Sequence, residues 1–251
     1  MAPGANGGLW LGTYFGGLNY FDGKKFKAYY HNPEDSNSIS DNSIWNLLLD
    51  SRGLIWVGTL KGGVDVYDAD FNKIHHFGLD NQGIHSNYVT SLCEDKDGNI
   101  WIGTGYGIEA YNYADGTMTH LLKEEGNDRS LVNNSILDIY CDHENSIWEG
   151  TMYGLSRFNR ATNDFDSFVK EDGLPENIVT SVMEDLDGNI WLGTYTGLSK
   201  LHFENEAPIF ENFDISDGLQ ADMFNERSAL RLKNGHLAFG GKNGLNVFDP
   251  E

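Results

Sequence analysis

The sequence predicts an all-β protein, a β-propeller built from six repeats of about 45 residues. Three observations lead there. The ten residues 98–107, GNIWIGTGYG, return almost letter for letter at 188–197 as GNIWLGTYTG. Glycine is abundant (30 of 251 residues) while proline is scarce (5), and aromatic residues make up 13% of the chain. The apolar stretches are short and punctuated by glycine, as strands between tight turns are. The densest of them, SIWNLLL at 43–49, is strand-sized.

Aligned on tryptophan, the repeats read LWLGTYFGGLNYF (9–21), IWVGTLKGGVDVY (55–67), IWIGTGYGIEAYN (100–112), IWEGTMYGLSRFN (147–159) and IWLGTYTGLSKLH (190–202). A sixth copy, LAFGGKNGLNVFD (237–249), has Ala238 in place of the tryptophan and Gly241 in place of the threonine. Trp10, Trp56, Trp101, Trp148 and Trp191 are separated by 46, 45, 47 and 43 residues, and Ala238 follows after another 47. Periods of this length with several strands each are typical of propeller blades.

Each unit divides the same way. A first strand such as YVTSLCED (88–95) is followed by a polar turn, KDGN (96–99). A second strand then carries the tryptophan and threonine, and a glycine turn leads into a third, IEAYN (108–112). A fourth, MTHLL (118–122), closes a four-stranded antiparallel meander, which cannot bury both faces alone and so must stack on its neighbours. The expected repeats are 9–35, 43–78, 88–123, 135–170, 178–214 and 223–250, within a single propeller domain or propeller fragment spanning 1–251. The tryptophans are expected to fill the gaps between blades. Thr13, Thr59, Thr104, Thr151 and Thr194 suit strand ends from which they would bond across to a neighbour.

The terminal copies look incomplete. No first strand is recognisable before Leu9, and the last copy stops after its third strand at NVFDP. Such a chain would be six blades, or part of a ring of about seven. A chain-exchanged homodimer is a further way to cover the open edges.

Composition narrows the function. With 38 acidic against 17 basic residues the formal net charge is −21, which repels phosphate backbones and anionic lipid and argues against a nucleic-acid partner. No run of about 18 apolar residues could cross a bilayer as a helix. The start, MAPGANGG, lacks the charged and apolar regions of a signal peptide. Cys93 and Cys141, the only cysteines, make neither a disulfide framework nor a zinc motif and read as buried thiols. In DKDGN and DLDGN the glycine comes fourth, not sixth as a calcium loop requires, so these are hairpin turns. There is no H-E-x-x-H and no serine nucleophile elbow, and no cofactor or metal is expected.

Two recurrent features suggest a ligand surface. The turns after the second strands hold Tyr14 and Phe15, Tyr106, Tyr153 and Tyr195, at positions where burial gives little reason for a ring. Flat C–H faces of sugars stack on such rings, and tyrosine adds a hydroxyl; ordinary packing over the blade tops is the competing explanation. The crossovers ISDNSI, IHSNYV, LVNNSI and LPENIV place Asn42, Asn87, Asn134 and Asn177 in one slot, with Asp222 in the last. Asparagine there either fixes a turn or forms part of a polar ring with His85, Arg129 and Glu176 as neighbours.

The pattern D-x-x-G-x-I-W-x-G-T-x-x-G-[LI], carried best by DKDGNIWIGTGYGIEAYN and DLDGNIWLGTYTGLSKLH, resembles the two-component regulator propeller repeat from Leu9 onwards. The tail DGLQADMFNERSALRLKNGHLAFGGKNGLNVFDP resembles the last blade of the second propeller in the sensor half of hybrid two-component histidine kinases. The resemblance implies a non-enzymatic, periplasmic, oligosaccharide-sensing segment of an inner-membrane-anchored receptor. A tyrosine-rich immunoglobulin-like domain, a membrane span and the kinase would lie outside this chain. The alternatives are a protein-interaction scaffold, or a propeller lyase of the streptogramin-lyase kind. The lyase would need a histidine base and a metal-supporting carboxylate, for which His85 and Glu176 are the nearest candidates.

Overall fold

The computed structural model describes residues 1–4 and 7–250. They fold into six antiparallel meanders, the blades of a β-propeller. Blade 1 comprises β1 (Ala2–Pro3), β2 (Leu9–Gly12), β3 (Leu18–Phe21) and β4 (Phe26–Tyr29). Blade 2 comprises β5 (Ile44–Leu49), β6 (Ile55–Thr59), β7 (Val64–Tyr67) and β8 (Lys73–Phe77). Blade 3 comprises β9 (Val89–Glu94), β10 (Ile100–Thr104), β11 (Gly107–Asn112) and β12 (Thr117–Leu121). These three form one compact unit, Met1–Leu121.

The second unit, Leu122–Glu251, holds the other three blades. Blade 4 is β13 (Ile136–Cys141), β14 (Ile147–Thr151), β15 (Gly154–Asn159) and β16 (Asp164–Phe168). Blade 5 is β17 (Val179–Glu184), β18 (Ile190–Thr194), β19 (Gly197–Glu204) and β20 (Ala207–Phe213). Blade 6 has three strands among the described residues, β21 (Phe224–Arg231), β22 (Leu237–Gly241) and β23 (Gly244–Phe248). Blade 1 departs from the sequence expectation: the two-residue β1 pairs Ala2 with Trp10 and Pro3 with Leu9, completing a fourth strand. A segment that short has no alternating pattern to read, and its strand character comes from the partner.

The second strands β6, β10, β14 and β18 are buried at every residue. Their indoles join each blade to the next within a unit. Trp10 shares a core with Ile44, Val57 and Tyr67 of blade 2. Trp56 packs with Val89, Leu92 and Ile102 of blade 3, Trp148 with Val179, Val182 and Leu192 of blade 5, and Trp191 with Phe224, Leu237 and Phe239 of blade 6. The glycine two residues on makes this approach feasible: a Cβ on Gly58 would stand 2.7 Å from a methyl of Val89.

In blades 2–5 an aspartate six residues before the tryptophan holds the indole in place. The Nε1–H of Trp56, Trp101, Trp148 and Trp191 donates to Oδ2 of Asp50, Asp95, Asp142 and Asp185, at 3.0, 2.9, 2.8 and 2.8 Å. The other carboxylate oxygen accepts two backbone N–H groups of the turn, for instance those of Asp187 and Asn189 on Asp185, at 3.0 and 2.9 Å. The D-x-x-G turn is thus a hairpin whose first side chain clamps both the turn and the core ring. In blade 6, where Ala238 replaces the tryptophan, Leu232 replaces the aspartate.

The repeat threonine hydroxyls do not bond across to a neighbour but turn back onto their own blades, although the Thr13 carbonyl accepts the N–H of Ile44 in blade 2 at 3.0 Å. Thr13, Thr59, Thr104, Thr151 and Thr194 donate through Oγ1 to the carbonyls of Gly17, Gly63, Gly107, Gly154 and Gly197, closing their own turns at 2.8–2.9 Å. Nor are the cysteines thiols, for Cys93 and Cys141 are disulfide-bonded. Titration of the denatured, unreduced protein should detect no thiol, and two after reduction.

Glu149 breaks the pattern of β14. It occupies the slot after the tryptophan that holds Val57, Ile102 and Leu192 in other blades, is fully buried, and neither carboxylate oxygen has a hydrogen-bond partner. Burial pushes its pKa well above the usual carboxylate range, which favours the neutral acid. Its folded pKa exceeds its unfolded one, so the folded state binds more protons and stability falls as pH rises above the ordinary carboxylate range. That slope is limited to about 1.4 kcal/mol per pH unit.

Two stability measurements follow from these contacts. Replacing Asp185 by Ala should cost about 2–4 kcal/mol in urea unfolding, because the indole and two backbone donors lose a charged acceptor. Asp185→Asn should also destabilise, since one end of an amide presents a donor to a donor. In contrast, Glu149→Met should raise stability at neutral pH by about 1–3 kcal/mol and flatten its alkaline decline.

Candidate functional site

The clearest surface feature lies in the first unit, where first strands meet the turns after second strands. Ile44 pairs with Thr59 and Asn46 with Gly58, so Trp45 sits at a bulge in β5 that turns its ring out of the ladder. Trp45 stands 6.2 Å from Tyr14 and 6.1 Å from Tyr88, edge-on to both, while Tyr14 is 4.1 Å from Phe15. Phe15, Tyr14, Trp45 and Tyr88 therefore form a row drawn from three successive blades. Tyr14 is 60% exposed and Phe15 66%. Phe15 holds φ at 63°, a left-handed conformation that is strained for an aromatic residue. The glycine-rich turn here is one residue longer than in blades 3–5, which lifts these rings outward: Thr13 reaches Gly17 four residues on, but Thr104 reaches Gly107 in three.

The remaining predicted rings are distributed differently. Tyr106 is 52% exposed and lies nearly parallel to the His120 ring at 6.1 Å. Tyr153 is exposed and Tyr195 half-buried, both in the second unit. Sequence reading missed Trp45 and Tyr88, because in a strand pattern they count as core. The signal was the bulge position: the residue after the first strand's opening aliphatic is Thr90, Leu137 and Thr180 in blades 3–5, and tryptophan only in blade 2.

The asparagine slot is occupied with backbone chemistry. The Oδ1 atoms of Asn42, Asn87, Asn134 and Asn177 accept N–H groups of His31, Leu79, Lys123 and Lys170 at 2.7–2.9 Å, holding each crossover in a fixed path. Glu176 Oε1 accepts the N–H of Ile178 at 3.0 Å. Arg129 is engaged away from this surface, paired with Asp164 and Asp166 on β16, the outermost strand of its blade. His85 is paired with neither Arg129 nor Glu176 but with Glu109.

Glu109 belongs to a recurrent slot on the third strands that sequence reading passed over. Asp65, Glu109, Ser156 and Asn246 each take the backbone N–H of the residue after the crossover aliphatic (Ile39, Ile84, Leu131 or Leu219), namely Ser40, His85, Val132 and Gln220, at 2.6–3.2 Å. In blade 5 that residue is Pro175, which has no N–H, and Ser199 bonds Asn212 instead, which donates to the Gly173 carbonyl. The slot thus serves to dock each crossover on the blade that follows.

In two blades the slot carries a buried acid, and the two are neutralised differently. Burial alone would raise the pKa of Asp65, but His76, Lys73 and Ser40 together hold it below the usual value. Lys73 Nζ is 3.0 Å away. Glu109, 0% exposed, faces two imidazoles: Nδ1 of His85 at 3.1 Å and Nδ1 of His120 at 3.0 Å. The two rings stack at 3.8 Å. Burial lowers the pKa of His120, against the pull of Glu109 and with added repulsion from His85, which favours its neutral form. His85, Glu109 and His120 are also the group among the described residues whose donor atoms converge closely enough to hold a metal ion.

The profile of the family described as "Two component regulator propeller" matches residues 38–61, 83–106 and 173–196. These are two-component regulator propeller repeats. Each matched segment runs from a crossover, across the clamped turn, to the glycine turn after the second strand. The extracellular domain of the putative hybrid two component system BT3049 from B. thetaiotaomicron is similar over 98% of this chain, at 31% identity and a TM-score of 0.85. This chain spans only 33% of that structure's length. Histidine kinase P4 of Formosa agariphila is 35% identical over 75 residues, 30% of this chain and 5% of the kinase. Virginiamycin B lyase from Staphylococcus aureus shares the fold alone, with a TM-score of 0.72 at 13% identity. The repeats therefore form a propeller segment akin to extracellular sensor domains, and no helix of the described residues is long and apolar enough to cross a membrane.

Proposed function

We propose that this chain is the ligand-sensing segment of an extracytoplasmic two-component sensor, and that the ligand is an oligosaccharide. The observation that carries the reading is the row Phe15, Tyr14, Trp45 and Tyr88. Rings at intervals of 4.1–6.2 Å, contributed by separate blades and partly open to solvent, suit successive pyranose faces. Phe15 retains a strained backbone to present its ring, a cost that packing alone does not require. Tyr106 and Tyr153 extend the exposed aromatic surface of their blades.

Several features support the setting. The charge of −21 disfavours nucleic acid and suits an uncharged or weakly charged glycan. Disulfide-bonded cysteines fit an oxidising compartment such as the periplasm. The likeness to the extracellular domain of a hybrid two component system supports a receptor whose kinase lies elsewhere. In that receptor the immunoglobulin-like domain and the membrane-anchored kinase are the partners, with a homodimer as a further way to cover open blade edges. No catalytic step is assigned to this segment, because the lyase pair His85 and Glu176 is engaged in separate structural contacts.

Screening bacterial and plant oligosaccharides by thermal shift and by quenching of tryptophan fluorescence tests the proposal. An active glycan should raise the melting temperature, by roughly 2.7 kcal/mol of stabilisation at 100-fold excess over Kd. Trp45→Ala and Tyr14→Ala should each weaken binding by roughly tenfold or more while leaving the fold intact. Failure of every glycan to shift either signal would overturn the ligand assignment.

A further inference from the structure

Blades 2 and 3 pose the same electrostatic problem and solve it unequally. Each buries a carboxylate on its third strand beneath the incoming crossover. A buried charge needs a counter-charge or the site is destabilised. For Asp65 that charge is the Lys73 ammonium, aided by His76 and the Ser40 hydroxyl. For Glu109 the ion pairs found among the described residues involve only the imidazoles of His85 and His120. One carboxylate oxygen, Oε2, is fully buried without a hydrogen-bond partner, and neither ring nitrogen of His120 makes an aligned hydrogen bond although Nδ1 is close. His85 bonds Glu109 Oε1 through its ring and its backbone N–H, but Oε2 and both His120 nitrogens are left over.

We propose that His85, Glu109 and His120 form a divalent metal site of the zinc type. One donor atom from each residue lies within 4.8 Å of the others. Tetrahedral Zn²⁺ at about 2.0–2.2 Å from its ligands needs donor atoms about 3.3–3.6 Å apart, so small rotations of the two rings suffice. Two nitrogen donors and one carboxylate favour zinc or a similar first-row ion over magnesium or calcium, which prefer all-oxygen sets. A bound ion would supply the positive charge that Lys73 supplies in blade 2, and would satisfy the orphaned carboxylate oxygen. The His85 side chain is 57% exposed, which leaves an entry path and a fourth position for water or a ligand atom. The site would fasten the crossover at His85 to β11 and β12.

The test uses the whole chain without a histidine tag, stripped of metal by chelation. Zn²⁺ should bind with a stoichiometry of about one and raise the melting temperature, Mg²⁺ should do neither, and Co²⁺ should develop the intense visible bands of a tetrahedral site. His85→Ala, an exposed change that should leave the blade folded, should weaken Zn²⁺ binding roughly tenfold or more, and pairing it with His120→Gln should abolish the cobalt bands. No Zn²⁺ response in the wild type would overturn the proposal. Wild-type cobalt bands in the double variant would do so equally, by placing the metal elsewhere.

Discussion

The bond between an aspartate carboxylate and the indole six residues later is the constraint on which the rest of each central blade depends. One oxygen organises the turn between first and second strands, and the other holds the tryptophan that packs against the following blade. Local chain reversal and blade-to-blade spacing are thereby set by a single side chain. A charged acceptor for a buried indole N–H is a strong hydrogen bond in a region sheltered from water. Both partners are lost together in blade 6, where Leu232 and Ala238 stand in their places, whereas in blade 1 Trp10 still packs into the core with Gly4 where the aspartate would be.

Around that frame the crossovers are fastened by a second, more variable device. A polar residue on the third strand accepts the crossover backbone, and an asparagine further along holds the chain entering it. Because the requirement is only for an acceptor, the slot tolerates Asp, Glu, Ser and Asn. Chemistry can therefore diversify there without harming the fold. Blade 2 uses this freedom for a lysine-neutralised acid, and blade 3 for an acid between two histidines.

Diversification is also evident where blades 1–3 present their turns. The longer glycine turn of blade 1, a length that blade 2 shares, and the first-strand bulge at Trp45 together bring rings into one row. The bulge itself recurs at the start of the first strand in blades 3–5, where it holds Thr90, Leu137 and Thr180, so what separates this surface is the tryptophan that blade 2 places in a shared slot and the left-handed Phe15 beside it.

From the sequence alone, the period, the strand order within a blade and the burial of the tryptophans were determined, because they follow from a pattern repeated in register along the chain. The exposed rings Tyr14, Phe15, Tyr106 and Tyr153 were also legible, since glycine turns project their residues outward whatever the surroundings. Tertiary structure alone decided what touches what. It paired β1 with a strand it does not resemble, turned the repeat threonine hydroxyls onto their own turns, drew Arg129 to the outer strand, and left neither cysteine as a free thiol. It also brought His85, Glu109 and His120 together from a crossover and two strands. Such contacts unite residues far apart in the chain, and no periodicity along the chain encodes a distance in space.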